Sequence, residues 1–310
     1  MLRRRPSLVV RPALDDHALH ATLTELRPAP QLHGLGAGRT RPLWEPVAEL
    51  LGRTGRDWDR RAHRVSVLAR ALPPSVSERW SADRPGDGDA LVLEAWVRSV
   101  RAVAGGRDEA RAAERACLRA AECCPEDPTP WLALLELMHS FAVPVRDAVP
   151  VWSEAVTRAP WHRTAYHQLL RYLSPRGHGT VDDMLEFARQ AAARAPHGSP
   201  LALLPVAARV ELVTHRQRQM SLGTDAHWRE PRAADEVAVA LTDWFAAAAA
   251  PHAEGVADLN VLAFALIRMH RPDEAAAVFR RMGRHMTPHP WELLPEPQRT
   301  FLYWRDRLGR

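Results

Sequence analysis

The sequence predicts an all-α fold, an array of antiparallel helix pairs, and three observations carry that prediction. Apolar residues recur at helical spacing along most of the 310 residues, while strand-like alternation is confined to residues 7–11. Prolines punctuate the helical runs, notably Pro125, Pro160 and Pro196. Two proline-led starts, Thr129-Pro130 and Ser199-Pro200, lie 70 residues apart, which is two units of about 35.

The first element is a helix over residues 15–26, followed by a linker to Pro42 that holds Gly34, Gly36 and Gly38. Two helices follow. Trp44, Val47, Leu50 and Leu51 share one face, and Trp58, Ala62, Val65 and Leu68 share another, with Pro73-Pro74 as the stop. Residues 83–89 form a polar connection. Leu93, Trp96, Val97 and Val100 then define a helix that Gly105-Gly106 interrupts. Ala113, Cys117 and Ala120 give the next helix a face of small residues, which lets a neighbour approach closely.

Thr129 is the expected N-cap of a helix with Pro130 at its first position, where no amide is needed. Its broad apolar stripe runs through Trp131, Leu134, Leu135 and Met138, and its partner carries Ala148, Trp152 and Ala155. Tyr166, Leu169, Leu170 and Leu173 start a further pair, whose second helix opens on a capping box of Thr180 and Asp183. The pattern lapses between Leu222 and Glu230, then resumes at Val237, Leu241, Trp244 and Phe245. Leu259, Leu262 and Leu266 pair with Ala275, Phe279 and Met282, and residues 296–308 form a capping helix. The expected segments are 1–42, an N-terminal helix and linker; 43–82, a helix pair; 89–221, helical repeats; and 230–310, further repeats with the capping helix.

The closing prolines at 125, 160 and 196, the small residues Ala148, Ala155, Ala188 and Ala191, and the unit from Leu259 to Met282 resemble tetratricopeptide repeats. That resemblance covers roughly residues 89–289, in units of 35 to 36 residues instead of 34. It implies a right-handed α-solenoid whose groove binds a protein or peptide partner. The groove positions it implies are Arg98, Glu136, His139, His167, Arg171, Asn260 and Arg268. The Lys and Asn set that clamps a C-terminal carboxylate in some members is missing. The segment from Tyr166 to Leu201 is also similar to uncharacterised bacterial proteins holding a domain of unknown function, a likeness that implies no activity.

Composition narrows the function classes. At 46% hydrophobic and 25% charged residues the chain has the makings of a packed core. Every one of its 42 basic residues is Arg, so Schiff-base, phosphate-loop and kinase-strand lysines are absent. A net charge of +5 raises nucleic acid as an alternative partner, through Arg3 to Arg5, Arg60 with Arg61 and Arg64, and Arg280 with Arg281 and Arg284. Elsewhere Arg alternates with Asp and Glu, as on solvated helix faces.

Cys117, Cys123 and Cys124 contain no Cys-x-x-Cys pair and are expected to be buried; with no secretory leader evident, a reduced cytoplasm is the expected compartment. No run is long enough to span a membrane, so no membrane partner is expected. His17 with His20, His162 with His167, and His285 with His289 lack metal-site spacing, and the 34–38 glycines lack the dinucleotide spacing. No cofactor or metal is expected. Trp131, Trp152 and Trp244 fall in apolar stripes, whereas Trp161 and Trp228 fall in loops. The expectation is a non-catalytic interaction module or scaffold. The alternatives are a nucleic-acid-binding solenoid and an enzyme built from scattered residues such as His162, His167 and Glu136.

Overall fold

The computed structural model describes residues 8–27, 41–177, 179–219, 226–247 and 251–309. Arg3 to Arg5 and the 34–38 glycines lie outside them. Among the described residues every regular element is helical and no strand forms. Where residues 7–11 suggested a strand, Val9 makes one isolated bridge: its N–H donates to Arg284 O and its carbonyl accepts from Met286 N, each at 2.9 Å. No described helix is long and apolar enough to cross a membrane. The chain divides into two compact units, Asp16–Ala165 and Tyr166–Arg310 together with Met1–Asp15.

The first unit starts with α1 (His17–Leu26), whose N-cap Asp16 accepts from Leu19 N at 2.9 Å. Next come α2 (Glu45–Thr54) and α3 (Trp58–Ala71), the latter capped by Asp57. A helix that the sequence reading lacks, α4 (Pro74–Asp83), follows directly. Pro73-Pro74 ends α3, but a proline at the first position of a helix costs no hydrogen bond, so the same pair also opens α4. Its Trp80 is fully buried and stacks on Trp44 with ring centroids 5.8 Å apart.

The run α5 (Gly88–Cys123) is two helices joined at Gly106, which has φ +80° and ψ −161°. Ser99 and Cys117 are 18 residues apart, about 27 Å along a straight helix. Their Oγ and Sγ are 3.4 Å apart, so the two halves fold back on each other. Small residues line that seam: Ala113, Ala116, Cys117 and Ala120 are all buried. Beyond it lie α6 (Thr129–Ser140) and α7 (Val145–Arg158), with α6 packed on α5 and α7. The cap of α6 is Asp127 rather than Thr129. Asp127 Oδ1 accepts from Thr129 N at 2.8 Å, and Thr129 is already helical.

The boundary between the units falls inside α8 (Arg163–Leu173). In the second unit α9 (Val181–Arg194) carries the expected capping box of Thr180 and Asp183. A 3-10 turn at Pro200–Leu203, capped by Ser199, leads into α10 (Leu204–Arg218). Then come a 3-10 turn at Ala226–Arg229, α11 (Pro231–Val239) and a π-helical continuation at Ala240–Phe245. Finally α12 (Gly255–Arg268) packs on α13 (Pro272–Met282), followed by α14 (Pro288–Trp291) and α15 (Pro297–Leu308).

Trp291 anchors this end of the unit. Its ring meets Phe301 edge-on at 5.2 Å and Phe264 at 5.9 Å, and Phe279 meets Phe301 at 5.7 Å. Each such pair adds about 1 kcal/mol beyond the area it buries. Trp228, expected in a loop, is only 2% exposed, whereas Trp161 keeps 39% of its surface in solvent.

Candidate interaction surfaces

Of the seven expected groove positions, Arg98, Glu136 and His139 belong to the first unit. Arg98 Nε donates to Glu94 Oε1 at 2.8 Å, and Glu94 also accepts from Ser81 Oγ. Glu136 accepts from Arg70 at 3.0 Å, and the same guanidinium stands 5.6 Å from the Trp96 ring centroid. His139 is half-buried.

The other four lie in the second unit. His167 and Arg171 are half-buried, one turn apart on α8. Burial pushes the pKa of the half-buried Arg268 down. Asn260 departs from the expectation, because it is fully buried. Its Oδ1 accepts from Trp291 Nε1 at 2.8 Å, and its Nδ2 donates to Val256 O and His285 O. The reason is legible in α12 itself, where every residue from Asp258 to Leu266 is buried and no side faces an open groove.

The first unit has a cleft of about 410 Å³ between the start of α3 and the end of α5. Arg61 lines it with only 7% of its side chain exposed. Asp127 and Asp89 each hold its guanidinium at 2.6 Å. Burial works to lower the Arg61 pKa, but the two carboxylates overcome it and the net direction is upward. Arg64, also buried, donates to Asp16 at 2.7 Å, and Arg60 pairs with Asp57 at 2.9 Å. These three arginines, a basic group in the sequence, are thus matched by acids.

The second unit has a cleft of about 440 Å³ between α9 and α11. Its walls are Ala192, Ala195, Pro196, Ala202, Pro205 and Val239, side chains too short to fill the space between the helices. The π-helical segment shapes the rim. Ala246 N bonds Leu241 O five residues back, and Asp243 O accepts from Gly198 N at 2.6 Å. His197 Nδ1 lies 4.0 Å from Asp243 Oδ1, at an exposed position.

Glu236 is the polar group of the floor and is compensated there. It accepts from Arg189 at 2.8 Å and from the fully buried Arg209, which also reaches Glu230 at 3.0 Å and His227 O at 2.8 Å. The rim is different. Asp235 is exposed and has no ion-pair partner among the described residues, and Asp243 keeps 49% of its side chain in solvent. The cleft is therefore apolar-walled, neutral at its base and acidic at its mouth.

Neither a protein-family model nor a curated protein matches this sequence.

Among the described residues no three His, Cys, Asp or Glu side chains converge as a metal site would require. His162, an element of the scattered-residue alternative, is 1% exposed; its Nε2 lies 3.2 Å from Trp58 O and its Nδ1 3.4 Å from Asp59. Asp59 also accepts from Arg163 N, so the group ties the start of α8 to the start of α3. Sequence reasoning missed both clefts. The one signal for the second was the alanine density of α9 beside Pro196 and Pro200.

Proposed function

We propose that this chain is a non-catalytic interaction module, a right-handed solenoid of tetratricopeptide-like antiparallel helix pairs that works in the cytoplasm and captures a protein or peptide partner. The observation that carries the reading is the α9–α11 cleft. An apolar trough with Asp235 and Asp243 at its mouth suits a segment that presents an Arg or Lys, its aliphatic stem against the alanines and prolines and its charge at the rim. The matched arginines at 60, 61 and 64 favour a protein over a nucleic acid, because their charge is already spent on Asp57, Asp127, Asp89 and Asp16.

The test is fluorescence anisotropy with short labelled peptides that place one Arg among apolar residues, against the same peptides with Arg replaced by Gln. Asp235→Asn with Asp243→Asn should weaken the Arg peptide about tenfold, near 1.4 kcal/mol, and leave the Gln peptide unchanged. Equal binding of both peptides to wild type would overturn the reading. Retention of the chain on nucleic acid at low salt with no peptide binding would favour the alternative. Substituting His167→Ala and Arg171→Ala in parallel separates this cleft from the groove that the resemblance implies.

A further inference from the structure

Cys123 and Cys124 stand at the end of α5, where burial was the expectation. Instead Cys123 is exposed and Cys124 is half-buried at the edge of the 410 Å³ cleft. Cys123 is the last residue of α5 and Cys124, with φ −123° and ψ 69°, has left the helix, and both sulfurs meet the segment that opens α5. Cys123 Sγ donates to Gly86 O at 3.7 Å. A Cβ built on Gly88 would lie 2.5 Å from Cys124 Sγ, so any side chain at 88 would push that sulfur aside. The two thiols stand together over residues 86–88, open to solvent on the Cys123 side.

We propose that Cys123 and Cys124 form a dithiol site for a thiophilic trivalent centre, the class of ligand being an arsenical. Arsenic(III) is pyramidal, with bond angles close to a right angle. It takes two sulfurs set side by side and keeps its third valence for its own substituent. A zinc-type ion fits less well, since it needs four ligands, and of the carboxylates that line the cleft with Cys124, Asp89 and Asp127 are committed to Arg61 and Glu126 to Arg56.

The step is a condensation. An arsenoxide R–As=O and two S–H groups give R–As(S)₂ and one water: two As–S bonds form, the arsenic–oxygen bond breaks, and both thiol protons leave with the oxygen. No oxidant is consumed. Burial pushes the Cys124 thiol up to about 12, with Cys123 and Asp127 adding to it and Arg61 opposing. A thiol held protonated at neutral pH reacts slowly with peroxide, which needs the thiolate, but condensation carries its proton away in the water formed.

Phenylarsine oxide added to the full chain, followed by desalting and intact-mass measurement, tests the site. One equivalent should remain per chain, two of the three cysteines should become unreactive, and 2,3-dimercaptopropanol should release the adduct where excess monothiol does not. Cys123→Ser and Cys124→Ser should each abolish retention, and Cys117→Ser should not. Gly88→Ala, checked for unchanged helical circular dichroism, should reduce retention severalfold. Retention by either single serine variant, release by monothiol, or labelling only after unfolding would overturn the proposal.

Discussion

Arg61 is stable in its cleft only through Asp127 and Asp89, because a desolvated guanidinium without a carboxylate costs several kcal/mol. Asp127 has a second task, since the same carboxyl caps α6. The two roles can be separated. Asp127→Asn keeps an oxygen for Thr129 N and loses the charge, whereas Asp127→Ala loses both. Urea unfolding should place Asp127→Ala about 2–3 kcal/mol below wild type, about 1–2 from the half-lost pairing of Arg61, which keeps Asp89, and about 1 from the cap. Asp127→Asn should fall between them. Equal midpoints for wild type and Asp127→Ala would show that Asp89 alone satisfies Arg61. Arg209 offers the same logic in the second unit, fully buried and dependent on Glu236 and Glu230.

At the level of elements, the fold-back of α5 depends on one backbone conformation. Gly106 sits at φ +80° with nothing within 4 Å of where a Cβ would stand, so an added methyl group meets no neighbour and the whole cost is conformational. Gly52 has equally open surroundings but lies inside α2 with ordinary helical backbone. Gly106→Ala should therefore destabilise by about 1–3 kcal/mol. Gly52→Ala should be neutral or stabilising by up to about 1 kcal/mol. Thermal unfolding of both variants checks the pair, and a neutral Gly106→Ala would mean that the turn has another way to form. Elements like these were legible in the sequence because their signals are local: Gly105-Gly106, the Thr180–Asp183 box and Ser199-Pro200 all mark real boundaries. Local signals also explain the errors. Pro73-Pro74 is both a stop and a start, and Thr129-Pro130 hid the cap two residues earlier at Asp127. The α9–α11 cleft was legible only in the alanine density of α9, because its shape depends on the gap that short side chains leave between helices and on a five-residue hydrogen-bond register that no residue type announces.

Across the whole molecule, two groups, one in each unit, should respond to acid in different pH ranges. In the second unit burial lowers the His289 pKa from 6.5, against the raising effect of Glu211 and Glu292 and with the help of Arg176. A histidine with a lowered folded pKa binds fewer protons native than unfolded, so its contribution is present above 6.5 and is lost as pH falls through the folded value. The effect is small, since 42% of that side chain meets solvent. In the first unit Asp16 is the opposite kind of group. Burial alone would raise its pKa from 3.8, but its bonds to Arg64 and Leu19 N and the charge of Arg60 turn the net shift downward. Its contribution is intact above 3.8 and disappears only as pH falls below that toward the lowered folded value. Urea midpoints measured from pH 7.5 to 3 should therefore show a shallow decline beginning near 6.5 and a steeper one below 4. His289→Gln should flatten the first and leave the second, and Asp16→Asn should lower stability at neutral pH while flattening the second. If His289→Gln leaves the decline near 6.5 unchanged, another group titrates there and the assignment to His289 fails.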